Sequence, residues 1–91
     1  MILDEELRKS DLADILDVLM DAYSMNEGSL TVAQIQRRLS MHPRIQRDLS
    51  RERIERTLGW GLHQPHVIDH PGQISKVGRD QWSASPRWGG K

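Results

Sequence analysis

Three stretches of the chain place apolar residues at helical spacing, and a fourth places them at strand spacing. Leu12, Ile15, Leu16, Leu19, Met20 and Tyr23 recur at intervals of three and four, with Asp14, Asp17 and Asp21 on the opposite face. Ser10 is a good N-cap residue, and Asp11 and Asp14 stand where carboxylates suit the positive end of a helix. The pattern therefore predicts a first helix that starts after Ser10, buries one stripe and ends within Met25–Ser29, where Asn26 and Gly28 interrupt it.

The clearest local signal follows in Leu30-Thr31-Val32-Ala33-Gln34-Ile35. Thr31 and Gln34 have the spacing of a capping box, and Leu30 and Ile35 can staple across it. A second helix is predicted from Thr31 or Val32, burying Val32, Ile35 and Leu39, exposing Gln34, Arg37 and Arg38, and ending before Pro43, whose ring disfavours a helical His42. Between Ser40 and Leu49 a short helical piece over Arg44 to Asp48 would turn Ile45 and Leu49 inward. Ser50 then caps a third helix, with Leu49 able to staple to Ile54. Ile54, Leu58, Gly61 and Leu62 share one face of it, and Glu52, Arg53, Arg56, Trp60 and His63 share the other. Pro65 stops this helix. Val67 and Ile68, a Pro71-Gly72 turn, Ile74, Val77, a Gly78-Arg79-Asp80 turn and Trp82 to Ala84 read as an antiparallel hairpin. Residues 1–9 then form an N-terminal arm, 10–85 one domain, and 86–91 a flexible tail carrying Trp88.

Composition narrows what such a chain can be. Its 91 residues suit one small domain, and with 36% apolar residues, no Phe and one Tyr the core must come from Leu, Ile, Val, Met and part of the three tryptophans. Trp82, in the returning strand, reads as core; Trp60 is balanced between core packing and a binding surface. The absence of cysteine removes disulfides, thiolate metal sites and cysteine nucleophiles. The start of the chain turns acidic, and no apolar run approaches the roughly 20 residues that span a bilayer, so a cytoplasmic protein without a membrane partner is expected.

Charge changes the picture more. Residues 1–30 hold two basic and eight acidic side chains, and residues 31–91 hold eleven basic and five acidic, so a formal net charge of zero divides into −6 and +6. Phosphate neutralisation by Lys and Arg supplies most non-specific affinity for nucleic acid, and bidentate arginine to guanine is the commonest direct base contact. Arg53 and Arg56 suit base contact, while Arg37, Arg38, Arg44 and Arg47 suit the backbone; Arg51, Trp60 and His63 complete the candidate face. The competing reading pairs Arg51, Arg53 and Arg56 with Glu52 and Glu55 on a solvated helix.

Catalytic constellations fare poorly. His63, His66 and His70 are close in sequence, but Pro65 breaks the helix between the first two, and Asp69 is the only nearby carboxylate, on the other side of the strand. Gly59-Trp60-Gly61 lacks the lysine and the strand-to-helix setting of a phosphate loop, and no serine nucleophile motif is present. No enzyme and no cofactor are expected.

The order of a helix, a Leu-Thr-led helix, a third helix and a hairpin resembles winged-helix DNA-binding domains. Over residues 11–85 the resemblance rests on Leu30-Thr31 with Ile35 and Leu39, on Ile54, Leu58 and Leu62 leading to Val67-Ile68, and on Gln81-Trp82-Ser83 as the returning wing strand. The segment between the second and third helices is longer than in the commonest form. The resemblance implies a mainly α fold with a small β-hairpin (α+β), a three-helix winged helix-turn-helix domain. It also implies a third helix in the major groove of double-stranded DNA, Lys76 and Arg79 as wing residues on phosphates or in the minor groove, and the role of a small transcriptional regulator. Winged helices also serve as protein-interaction modules, here through the acidic first helix or the basic face. Met1 to Leu7 and Trp88 are apolar pieces that a homodimer would cover. The row of Asp14, Asp17 and Asp21 reads either as a solvated face or as a partner site, turned away from DNA.

Overall fold

The first helix, α1 (Ile2–Ser24), begins well before Ser10. Glu5, Glu6, Leu7, Arg8 and Lys9 are good helix formers with neither glycine nor proline among them, so the helix runs straight through the cap signal. Asp11 consequently lies in mid-helix rather than in a first turn, and it is buried. The computed structural model describes residues 2–64 and 70–86, with side chains from residue 5 onward. The expected Val67-Ile68 strand piece, Pro65, His66 and Trp88 fall outside the described residues.

Leu12, Ile15, Leu16 and Leu19 point inward, and Val18 and Ala22 join them. The buried face is wider than one stripe because α1 packs against both other helices and both strands. Tyr23, expected inside, is 46% exposed, since the core ends at Ala22. Asn26 (φ 61°) and Gly28 (φ 79°) in left-handed conformation then turn the chain.

Helix α2 (Val32–Met41) starts as its sequence dictates. Gln34 N donates to Thr31 Oγ1 at 3.2 Å, and Thr31 N donates to Gln34 Oε1 at 2.9 Å. Val32, Ile35 and Leu39 are buried. The segment after α2 is a turn, not the expected helical piece. His42 is extended ahead of Pro43, Ile45 N and Gln46 N both donate to His42 O, and Gln46 has φ 48°. Leu49 is buried and Ile45 partly so. Helix α3 (Arg51–His63) is capped by Ser50, whose Oγ accepts from Arg53 N at 3.1 Å. It buries Ile54, Thr57, Leu58 and Gly61.

Strands β1 (Gly72–Gly78) and β2 (Gln81–Pro86) form an antiparallel hairpin with a bulge between Lys76 and Gly78 and a turn at Arg79 and Asp80. Ile74, Trp82 and Ala84 alternate into the core. The hairpin is stitched to the α1–α2 connection. Leu30 and Trp82 exchange both backbone hydrogen bonds, at 2.8 and 2.9 Å. Val32 N donates to Asp80 Oδ1 at 3.1 Å, Ser29 Oγ to Gln81 Oε1 at 2.6 Å, and Ser83 Oγ to Gly28 O at 3.2 Å. Asp80 thus serves the hairpin turn (φ 59°) and the N-terminal dipole of α2 together. The described residues form an α+β arrangement of three helices and a two-stranded hairpin around one buried cluster, and none of their helices is long and apolar enough to cross a membrane.

Candidate nucleic-acid interface

The arginines of the basic half divide by what α1 offers them. Asp11, with a side chain 3% exposed, accepts from Arg53 Nε at 2.7 Å and Nη2 at 3.2 Å, and from Arg47 Nη2 at 2.7 Å. Asp14 accepts from Arg47 Nη1 at 2.8 Å. A buried carboxylate is tolerable only when its lone pairs are met by charge-assisted hydrogen bonds, and two guanidiniums meet them here. The Asp14 carboxylate, reinforced by Asp11, holds the Arg47 guanidinium above its ordinary range against the opposing effect of burial. Arg47 therefore ties the α2–α3 segment to α1, and Arg53 ties α3 to it. Neither pairs with Glu52 or Glu55.

The rest of the acidic row is also engaged. Asp17 Oδ1 lies 2.8 Å from His70 Nε2, and Asp21 Oδ2 lies 3.3 Å from His42 Nε2. On the other ring nitrogen, His70 Nδ1 accepts from Gly72 N at 2.9 Å and His42 Nδ1 accepts from Arg44 N at 3.1 Å. Both histidines precede proline, which has no N–H, so the first backbone donor the ring can meet is two residues on. The same His-Pro turn thus clasps α1 twice, one helical turn apart, and in each case an Nδ1 acceptor leaves the aspartate facing Nε2–H. Among the described residues no group of three or more His, Cys, Asp or Glu could hold a metal ion.

What remains for a ligand is a smaller set. On α3, Arg51, Glu52, Glu55, Arg56 and His63 are exposed, with Arg51 Nε 3.3 Å from Gln36 Oε1. Arg56 makes no ion pair among the described residues, nor do Arg37, Arg44 and Arg79. Trp60 is partly buried against the core, with the Arg8 guanidinium 5.3 Å from its ring centroid. On the hairpin, Lys76 Nζ sits 5.2 Å from the Trp82 ring, and Val77 and Arg79 are exposed at the tip.

The structure does not gather every candidate arginine on one surface. Arg56 and Arg53 flank α1 beside Arg8. Arg37 and Arg38 line a groove between α1 and α2 with Asp21 and Glu27, where Arg38 Nη2 is 2.6 Å from Glu27 Oε1. Arg44 borders Asp14, Asp17 and Asp21. Sequence reasoning missed two participants. The pattern puts Arg8 in an arm because Ser10 mimics a helix start, and it puts Asp11 in a first turn as a carboxylate suited to the helix dipole; the helix formers of residues 5–9 are the available signal for both.

No protein-family model, curated protein or solved structure matches the chain.

Proposed function

We propose that this chain is a winged-helix DNA-binding domain, acting as a small transcriptional regulator on double-stranded DNA, with α3 in the major groove and the β1–β2 hairpin as the wing on the backbone. The observation that carries this reading is the clasp of the hairpin onto the start of α2 through Leu30–Trp82 and Asp80. The clasp fixes a cation-bearing hairpin tip relative to the α2–α3 pair, and the outer side of α3, with Glu52, Arg56 and His63, stays exposed. A rigid, partly cationic helix and wing of this kind suit groove and phosphate contact.

The arginines take different parts in this reading. Arg53 has committed its Nε and Nη2 edge to Asp11, so it offers only Nη1 outward, and Arg56 is the α3 arginine with its whole guanidinium left for DNA. Lys76 and Arg79 supply the wing contacts to phosphate. Arg47 belongs to the fold. Arg37 and Arg44, exposed but beside carboxylates, contribute less to phosphate binding than the sequence alone suggests.

A second reading is a protein-interaction module, and one feature favours it. The α1–α2 groove exposes Met25 (59%) and Met41 (68%), adaptable side chains of the kind found on protein-binding surfaces. The acidic row supports it less, because Asp14, Asp17 and Asp21 are already engaged within the chain. Fluorescence anisotropy with random-sequence duplex DNA at two salt concentrations separates the two. Salt-sensitive binding supports the first reading, and no binding at low salt moves the weight to the second.

A further inference from the structure

Beside α3 a depression of about 270 Å³ is lined by Leu7, Arg8, Asp11, Arg53, Arg56 and Thr57. Three arginines line it against one aspartate. Asp11 repels an incoming anion little, because its oxygens already accept from Arg53 and Arg47 at 2.7 Å each. Among the described side chains, which begin at residue 5, Arg8 has no carboxylate partner and is held over the Trp60 ring, and Arg56 is likewise without an ion pair. Glu52 and Glu55 lie on the far side of Arg56, lining a separate depression with it. The Thr57 hydroxyl donates to Arg53 O at 2.8 Å, which leaves the guanidiniums as the donors available to a ligand.

We propose that this depression is a phosphate seat, in which Arg8 from α1 and Arg56 and Arg53 from α3 hold one backbone phosphate of duplex DNA. Planar guanidiniums match the geometry of a phosphate better than ammonium groups do, and all three basic side chains bordering this depression are arginines. The identity of the phosphate as part of DNA rests on the function proposed above; the seat itself rests on the three arginines. Its role would be to fix the register of α3 in the groove, since phosphate contacts position while base contacts specify.

The probe for the seat is inorganic phosphate, titrated against sodium chloride of equal ionic strength while the NMR signals of the Arg8, Arg53 and Arg56 Nε–H groups and the Trp60 indole N–H are followed. The wild type should show saturable shifts with phosphate that Arg8→Ala and Arg56→Ala abolish. Neither variant touches Asp11, and a retained amide spectrum verifies the fold. With duplex DNA, Arg8→Ala should lower the slope of log affinity against log salt by about one. Phosphate shifts without any DNA binding would keep the seat and reject DNA as its source. DNA binding with an unchanged slope in Arg8→Ala, and no phosphate response beyond that to chloride, would overturn the seat and leave the DNA reading standing.

Discussion

Arg53 Nε lies 2.7 Å from Asp11 Oδ2, and this contact makes an outward-looking arginine of α3 part of the fold. Removing Asp11 would leave Arg47 and Arg53 without their shared acceptor. Asp11→Ala is therefore expected to cost about 1–2 kcal/mol, the loss of charge-assisted hydrogen bonds discounted because both arginines reach water and Arg47 keeps Asp14. A shift of the urea midpoint measures it; an unchanged midpoint would mean the carboxylate does not hold α3 to α1.

The crossing of α1, α3 and β1 depends on Gly61. A Cβ there would stand 2.6 Å from Leu12 Cδ1 and 3.0 Å from Ile74 Cδ1, both in the buried core. Gly61→Ala should destabilise by about 1–3 kcal/mol through overpacking, although alanine is the better helix former. Gly59, which has open space at the same atom, provides the control, and Gly59→Ala should leave thermal stability unchanged or raised.

Two side chains cap the start of α2, one local and one from the hairpin. Thr31→Ala and Asp80→Ala should each cost about 1 kcal/mol, and the double variant should depart from additivity because both act on the same helix end. Asp80→Asn keeps an acceptor and the tolerance for positive φ, and is expected to recover most of the loss in chemical denaturation.

The paired His-Pro turns make a spectroscopic prediction. With Nδ1 of His42 and His70 accepting backbone N–H groups, both neutral rings should carry their proton on Nε2, facing Asp21 and Asp17. Long-range nitrogen–proton correlation spectra read the tautomer directly. An Nδ1–H ring at either position would show that its turn does not form in solution.

The parts of this fold that sequence declares are those whose determinants are local. Thr31 with Gln34, Ser50 with Arg53 N, and the alternation of Ile74, Trp82 and Ala84 each act within a few residues or along one strand, and each stands where its pattern places it. The start of α1 was hidden because Ser10 carries the same chemistry in a helix interior as at a cap. Asp11 was opaque for another reason: a carboxylate is buried only if cations arrive, and its partners come from positions 47 and 53, a proximity that periodicity does not encode. The Arg44–Asp48 piece failed as a helix because His42, held extended by Pro43, diverts its carbonyl and ring into a turn.

Whether the chain binds DNA is tested most directly by titrating labelled random-sequence duplex at two salt concentrations with wild type and Arg56→Ala. Arg53→Ala is the poorer variant, since it also loosens Asp11. With about four phosphate contacts, affinity is expected to fall roughly 10²-fold between about 50 and 200 mM salt. Arg56→Ala should bind more weakly while melting like the wild type. No binding of the wild type at the lower salt, or binding untouched by Arg56→Ala, would contradict the placement of α3 against DNA.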